Sequence, residues 1–249
     1  MKKSTCHTAI PFEQARADSK VFRTAYPLSK ELRNQFFTDV FKKLEQHVIK
    51  QSIAGIYPDF LRFAKTCEAR PEKADDAAQL FYWWRLLNDA HQNPSSNIFT
   101  KFHYEHFTFF KDHPLFLSWL QLTQHVIPDF FYVAKGVSPY GCYLVNLKNK
   151  ETIKMILHDS NHALPEVGSI ISAVLLPFSN QLHLPVAMYE FDTDATEDIA
   201  PTLKHLYIEY AEEPDPFQVW LKTFMSLLLV EKYSLSGEEP WKDSEGPAT

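Results

Sequence analysis

The chain has 249 residues, 45% hydrophobic and 14% aromatic, with a formal net charge of −6, which is typical of an ordinary soluble globular protein. Its three cysteines, at positions 6, 67 and 142, include no Cys-x-x-Cys pair, so they indicate neither a disulfide framework nor a cysteine zinc site. No apolar run near the start fits a signal peptide, and the longest apolar stretch, residues 217–230, is too short to span a membrane. We therefore expect a cytoplasmic protein without a membrane span.

Apolar residues recur at helical spacing through residues 1–128, so we expect a helical region there. Ser29 is the candidate N-cap of a first helix, which we expect to end at Gly55. Asn97 and Pro114 are typical of the starts of a later helical pair. The predicted helices span residues 29–55, 57–70, 71–90, 97–110 and 114–127.

The hydrophobic period changes at Pro128, and residues 129–192 contain short runs rich in Val, Ile, Tyr and Leu, separated by Gly, Pro, Asn and Ser. This pattern is typical of strands and turns and predicts a small antiparallel sheet or barrel. The segment "NLKNKET" fits a hairpin turn, which would make the second and third strands antiparallel neighbours. The predicted strands lie near residues 130–137, 141–147, 152–158, 169–178 and 184–191.

Helical spacing returns over residues 193–235. We expect one helix in "EDIAPTLKHLYIEYA", interrupted at Pro201, and a strongly apolar helix over residues 217–233 that packs back on the first half. This apolar helix is predicted to be a core element, and a homo-oligomer contact is the alternative. The polar residues 236–249 are typical of a disordered tail. The predicted fold class is therefore α+β, with helices on both sides of a small β region.

Eleven histidines include a group in "KFHYEHF", where His103 and His106 flank Glu105. A helical zinc protease site requires His-Glu-x-x-His or the inverted His-x-x-Glu-His, and this segment has neither spacing. On a helical wheel His106 falls inside an apolar stripe and His103 lies at its edge, whereas Glu105 lies at the opposite edge. We therefore interpret His106 as a hydrogen-bonded core or boundary residue, with metal binding as the alternative.

A second group lies in "LHDSNHALPEVG", which contains His158, Asp159, His162 and Glu166. Asp-Ser-Asn is typical of turns and Pro-Glu-Val-Gly leads into the next predicted strand, so we interpret the segment as a polar loop between strands. A loop can still hold a metal ion. We therefore keep His158 and His162, together with His103 and His106, as candidate ligands of zinc or iron.

The sequence lacks the motifs of several other kinds of functional site. None of the six glycines falls in a phosphate-loop spacing, and no Gly-x-Ser-x-Gly elbow is present. Residues 1–70 carry 13 Lys and Arg against 7 Asp and Glu, which admits an anionic partner such as nucleic acid. These charges are scattered at helical spacing, which is typical of a solvated helix face. The predicted β region, residues 129–189, carries 4 Lys against 4 Asp and Glu and is therefore neutral. We therefore do not expect nucleic-acid binding to be the main function.

Four segments occur in a characteristic order, namely "LFYWWRLL", "FLSWLQ", "FFYVAKG" and "PEVGSIISAVLLPF". In this order, residues 78–192 resemble a group of functionally uncharacterised bacterial proteins related to those that carry a cysteine-rich, zinc-binding SEC-C motif. The resemblance implies the fold of the small β region and a cytoplasmic location, and it implies no chemistry. The chain departs from the group because it has no cysteine cluster after residue 142 and has Val174 where an arginine is expected. The zinc-binding role of that motif is therefore not implied.

The sequence contains no complete catalytic motif, and many of its aromatic residues can lie at a surface. It therefore predicts a non-enzymatic cytoplasmic interaction or adaptor protein with a protein partner. Two alternatives remain open. One is a metal-dependent enzyme that uses the clustered histidines, and the other is nucleic-acid binding through the basic N-terminal region.

Overall fold

The computed structural model describes residue 16 and residues 19–24, 26–67, 69–157, 163–178 and 182–236, apart from the side chains of residues 52–54, 57, 64 and 65. Helices lie at both ends of this described chain, and a closed five-stranded barrel lies between them. The arrangement confirms the predicted α+β class with a small barrel in the middle. Within these residues, none of the helices has the length and apolar character needed to cross a bilayer.

The first two helices are continuous through a π-helical turn, and a third helix follows them. Ser29 is the N-cap as predicted, because its Oγ accepts a hydrogen bond from the Leu32 amide at 3.3 Å. A π-helical turn, Phe36–Phe41, joins the first two helices, and a 3₁₀ turn, Pro71–Lys73, precedes the third. The helices are α1 (Lys30–Gln35), α2 (Lys42–Thr66) and α3 (Ala74–Gln92).

The predicted helix end at Gly55 is wrong, because α2 continues past Gly55 and Pro58. Glycine and proline each weaken a helix interior, but burial of apolar side chains on one face outweighs that local preference. Phe63 supplies such burial, since its ring stacks on Phe81 of α3 with centroids 4.3 Å apart. The helix predicted over residues 57–70 therefore falls largely within α2.

The predicted helical pair consists of three helices, α4 (Ile98–Glu105), α5 (Phe107–Asp112) and α6 (Pro114–Thr123). Asn97 caps α4 and Pro114 begins α6, as predicted. The break at His106 was not predicted. It brings the buried rings of Phe102 and Phe110 to a centroid distance of 5.6 Å. A straight helix would separate these residues by about 12 Å along its axis, so their edge-to-face contact favours the bend.

All five predicted strands are confirmed to within two residues at each end: β1 (Asp129–Ser138), β2 (Gly141–Asn146), β3 (Thr152–Ile156), β4 (Ile170–Pro177) and β5 (Leu182–Glu190). They close in the order β1–β2–β3–β5–β4, and β2 and β3 are antiparallel neighbours as predicted. The barrel is not wholly antiparallel, because β3 and β5 pair in parallel through Lys154–Leu182 and Met155–His183. Parallel neighbours need a long connection, which β4 and its flanking loops provide.

Strand β4 is buried on both of its faces. The side chains of one face lie in the barrel core: Ile171, Ala173 and Leu175. Those that alternate with them belong to the core formed with the helices: Ile170, Val174 and Leu176. Ser172, on the helical side, accepts a hydrogen bond from Trp220 Nε1 at 3.0 Å, so its hydroxyl is satisfied in this buried strand. Strand β4 therefore joins the barrel core to the helical core.

The C-terminal helices are α7 (Thr196–Glu209) and α8 (Pro216–Ser236). Pro201 lies inside α7 without ending it, contrary to the prediction, because the buried residues Ile199 and Leu203 hold the helix against the core on either side. Helix α8 packs back on α3, where Trp84 Nε1 donates a hydrogen bond to the Phe217 carbonyl oxygen at 2.9 Å. Five of its large apolar side chains are buried in the helical core, as predicted for a core helix: Phe217, Trp220, Phe224, Leu227 and Leu228.

A buried carboxylate on α8 holds three segments together. Glu231 is 1% exposed, and its two oxygens accept hydrogen bonds from the Tyr189 hydroxyl at 2.6 Å and the Asp192 amide at 2.7 Å. The Lys73 ammonium lies 3.1 Å from Glu231 Oε1 and donates to the Glu190 carbonyl oxygen at 2.6 Å. A buried charge is tolerated when it is paired and hydrogen bonded, as this one is. The network therefore fixes α8 and the turn before α3 against the end of β5.

Glu231→Ala should lower the free energy of unfolding by about 3–5 kcal/mol, because the variant leaves the Lys73 ammonium and the Tyr189 hydroxyl without their buried acceptor. Denaturant unfolding followed by circular dichroism measures the change. Glu209→Ala is the matched control, since Glu209 lies 3.9 Å from His205 in an exposed, solvent-screened pair. A loss for Glu231→Ala no larger than that of the control would contradict the assigned network.

Alkaline pH should destabilise the fold. Burial raises the pKa of the Cys142 thiol to about 11 and holds the pKa of the Tyr189 and Tyr207 hydroxyls well above the usual tyrosine value. The unfolded chain releases these protons at lower pH than the folded chain, so the free energy of unfolding should fall as pH rises above about 9. Denaturant titrations at a series of pH values measure the effect, and Tyr207→Phe should make the fall less steep. A free energy of unfolding that stays constant up to about pH 11 would contradict the burial of these groups.

Candidate interaction surface

One wall of the barrel projects large side chains into water. Tyr132 on β1 and Tyr143 on β2 are 38% and 39% exposed, and Tyr140, in the turn between these strands, is 52% exposed. Val137 near the end of β1 is also exposed. Large side chains gathered in water at one place favour a binding role, because single exposed residues are common but groups of them are not.

The strand register places lysines beside these tyrosines. Lys135 of β1 lies opposite Tyr143 of β2, and Tyr143 lies opposite Lys154 of β3. Directly opposed residues of antiparallel strands project from the same face, with Cβ atoms about 5 Å apart. Tyr132 lies opposite Val145, two residues from Tyr143, so it occupies a neighbouring row of the same wall. We name the following residues the tyrosine–lysine face: Tyr132, Lys135, Tyr140, Tyr143 and Lys154.

The barrel core fixes the backbone behind the tyrosine–lysine face. The residues that alternate with the exposed ones are fully buried inside the barrel: Val133, Leu144 and Met155. The turn from β2 to β3 is hydrogen bonded, since Asn146 Oδ1 accepts from the amides of Lys148 and Asn149 at 2.8 and 3.0 Å. A face on such a support loses little conformational freedom when it binds a partner.

Charge is segregated along the barrel. All four of its lysines lie in the stretch from β1 to β3: Lys135, Lys148, Lys150 and Lys154. Glu151 is the exposed carboxylate of that stretch, whereas Asp129 is half-buried and accepts hydrogen bonds. The other two acids of residues 129–189, Asp159 and Glu166, follow β3 in the sequence. The stretch from β1 to β3 therefore carries more lysines than exposed carboxylates, although residues 129–189 as a whole are neutral.

The two candidate histidines of the helical half pack against different rings. His103 stacks on Tyr104 with ring centroids 5.6 Å apart, and His106 packs against Phe102 at 4.7 Å. Partial burial lowers the pKa of the half-buried His106, because the charged imidazolium loses hydration there. Across the part of the chain that the structure describes, no three His, Cys, Asp or Glu side chains are placed to hold a metal ion.

A third histidine of this region, His47 on α2, was not predicted to matter. Its side chain is buried, Nδ1 lies 3.1 Å from Glu105 Oε2, and Nε2 has no hydrogen-bond partner. The signal in the sequence was its place in the apolar stripe of α2, beside Leu44 and Val48. A histidine in such a stripe needs a polar partner from a neighbouring element, and here Glu105 at the end of α4 supplies it.

The loop histidines His158 and His162 lie outside the described residues, so their metal binding stays a prediction. The residues that flank the loop, Leu157 and Ala163, line a cleft of about 470 Å³ together with Asp76 and other residues. The predicted disordered tail over residues 236–249 also lies outside the described chain, except for its first residue.

The basic N-terminal region is described in part, since residues 1–15, 17, 18 and 25 lie outside the described chain. In α1 and α2, exposed lysines are interspersed with exposed carboxylates, such as Lys30 beside Glu31 and Lys42 before Glu45. This mixture is typical of a solvated helix face. Among the described residues, positive charge and exposed tyrosines coincide at the barrel wall.

Comparison of the chain with known protein families, with curated protein sequences and with solved structures finds no match. The resemblance of residues 78–192 to bacterial proteins related to the SEC-C group therefore stays a prediction. The tyrosine–lysine face rests on the geometry and charge of this chain alone.

Proposed function

We propose that this chain is a non-enzymatic cytoplasmic interaction protein that binds an acidic segment of a partner protein through the tyrosine–lysine face. The observation that supports this proposal most strongly is the row Lys135–Tyr143–Lys154, which runs across three strands of an exposed barrel wall. The order of this row comes from the strand register, so it is a fixed pattern and not a set of independent surface residues.

The residue types of the face suit a protein partner. Tyrosine supplies a large, flat contact area at little cost in side-chain entropy and keeps a hydroxyl for hydrogen bonding. Val137 extends this contact area with an apolar side chain. The lysines steer an acidic partner and set its register, so their contribution should weaken as salt is added.

Single-stranded nucleic acid is the second candidate ligand of the same face. Aromatic side chains stack on bases while lysines pair with phosphates, and Lys135 and Lys154 lie on either side of Tyr143. This route differs from the basic N-terminal region that the sequence suggested. We favour the protein partner because Val137 adds an exposed apolar contact to the face.

Two further possibilities stay predictions beside this proposal. Metal-dependent chemistry would depend on His158 and His162, which lie outside the described residues. A homo-oligomer contact through residues 217–233 would depend on the outer side of α8, where Leu229 is exposed.

Tyr143→Ala should weaken binding of a fluorescein-labelled acidic peptide, built from Glu, Asp and Leu, by about tenfold or more, because truncation of a central interface tyrosine removes a large buried contact. Fluorescence anisotropy titration measures the affinity. The double variant Lys135→Glu, Lys154→Glu should weaken binding further and reduce its salt dependence, because it inverts the charge on both sides of Tyr143. A labelled oligo(dT) strand, titrated in parallel, tests the nucleic-acid candidate.

The matched controls are Tyr104→Ala and Lys101→Glu, which change an exposed tyrosine and an exposed lysine of α4. Both should leave peptide affinity unchanged. Equal losses in the control and face variants, or no binding of the acidic peptide, would contradict the proposal. Binding of oligo(dT) without binding of the peptide would replace it with the nucleic-acid function.

A further inference from the structure

A pocket of about 520 Å³ lies where the start of β1 and the β2–β3 turn meet the end of α7 and the start of α8. This volume lies in the range of small-molecule sites. Prolines and aliphatic residues form part of its wall, and a small number of polar, charged and aromatic side chains form the rest. They include Asp129, Lys148, Tyr207, Tyr210, Glu213, Trp220 and Thr223. The pocket is separate from the tyrosine–lysine face and plays no part in the proposed function.

Asp129 presents a carboxylate to the pocket with one acceptor position to spare. Its Oδ1 accepts hydrogen bonds from the Phe130 amide at 2.9 Å and the Tyr207 hydroxyl at 3.3 Å, and its Oδ2 accepts from Asn146 Nδ2 at 2.7 Å. A carboxylate accepts about four hydrogen bonds, so Oδ2 can take one more. Desolvation raises the pKa of Asp129, and a positive charge beside it would restore the stability of the ionised form.

Thr223 on α8 presents a second polar group that lacks a partner. The residue is fully buried and lines the pocket, yet its Oγ1 makes no hydrogen bond. Burial of an unsatisfied hydroxyl costs free energy that a ligand hydrogen bond would recover. Since this hydroxyl can accept a hydrogen bond, it can share a donor-rich ligand with Asp129.

Aromatic rings surround these two polar groups. Tyr207, Tyr210 and Trp220 line the pocket. Trp220 Nε1 donates to Ser172, and the Trp220 ring stacks on Phe224 with centroids 5.0 Å apart, so ring contact with a ligand falls to the two tyrosines. The Lys222 ammonium lies 5.6 Å from the centroid of the Tyr210 ring, so one of these rings already attracts a cation. Aromatic faces beside a carboxylate are a typical environment for an organic cation.

The other charged groups at the pocket leave Asp129 available. Glu213 is paired with Lys222 at 2.8 Å, so this carboxylate and this ammonium largely cancel. Lys148 lies exposed at the turn between β2 and β3, and its positive charge favours the ionised form of Asp129. A ligand cation must therefore enter away from Lys148, on the side formed by α7 and α8.

We propose that this pocket binds a protonated amine carried on an apolar body. The ammonium group donates hydrogen bonds to Asp129 Oδ2 and Thr223 Oγ1, and the apolar body lies against the rings of Tyr207 and Tyr210. The positive charge distinguishes this ligand from a neutral alcohol of the same shape, and the N–H donors distinguish it from a quaternary ammonium ion.

Benzylamine and benzyl alcohol, titrated into the full-length chain by calorimetry or by ligand-detected NMR, test the proposal. Benzylamine should bind at millimolar concentration or below, and benzyl alcohol at least about tenfold more weakly, because it carries no charge for Asp129. Asp129→Asn should weaken benzylamine binding by about tenfold, and Thr223→Val by a few-fold. Thr202→Val on α7 is the matched control and should leave the affinity unchanged, because Thr202 Oγ1 donates to the Asp198 carbonyl oxygen outside the pocket.

Asp129 also supports the start of β1, so thermal unfolding must first show that Asp129→Asn is folded. If it is not, Thr223→Val and the pair of probes decide the question, because Thr223 Oγ1 makes no hydrogen bond whose loss would unfold the chain. Equal affinity for the two probes would show an apolar cavity only and overturn the proposal. Absence of benzylamine binding up to about 10 mM, or binding that Thr223→Val leaves unchanged, would also overturn it.

Discussion

The fold depends on a strand that is buried on both faces. Strand β4 contributes alternate side chains to the barrel core and to the helical core, and all its residues but Pro177 are buried. Burial on both faces requires apolar residues at successive positions, which "IISAVLL" supplies, and requires that any polar residue be satisfied. The hydrogen bond from Trp220 to Ser172 meets that requirement and at the same time fixes α8 against the strand.

The placement of β4 decides what the rest of the molecule can do. Because the helices cover the barrel at β4 and β5, the wall formed by β1, β2 and β3 faces water with its tyrosines and lysines. The same helices carry Glu231 to the end of β5, where Lys73 neutralises it. The contact of α7 and α8 with the start of β1 encloses the pocket around Asp129. Both proposed binding sites are therefore consequences of how the helices pack on one side of the barrel.

Local patterns in the sequence predicted most helices and all five strands, but they did not predict features that depend on contacts between distant parts of the chain. Residue alternation and turn residues located all five strands, and "NLKNKET" gave the β2–β3 hairpin. The parallel pairing of β3 with β5 has no local signal, because it depends on closure of the whole barrel. Likewise, α2 continues past Gly55 because Phe63 packs on Phe81 of α3. The low helix propensity of glycine depends on Gly55 alone, so it carries no information about that contact.

The candidate sites were hidden for the same reason. The number of charged residues in 129–189 does not show where each charge lies. The strand register does, because it places Lys135 and Lys154 on either side of Tyr143. Asp129 and Thr223 are far apart in sequence and meet at one pocket only after α8 packs on the barrel. The candidate histidines, in contrast, were predicted from their closeness in sequence, and closeness in sequence alone does not bring side chains together in space.

The joining of the two cores by β4 can be tested with two probes already present in the chain. Residues 129–192 contain no tryptophan, and the four tryptophans of the described chain, Trp83, Trp84, Trp119 and Trp220, lie on helices. In the variant Trp241→Phe, tryptophan fluorescence therefore reports on the helices, while Cys142 lies inside the barrel core. Pulsed thiol labelling, with Cys142 identified by mass spectrometry, therefore follows the barrel alone across a denaturant titration. If β4 joins the cores, Cys142 labelling and the fluorescence change share one midpoint. Labelling of Cys142 at clearly lower denaturant concentration would contradict the central role of β4.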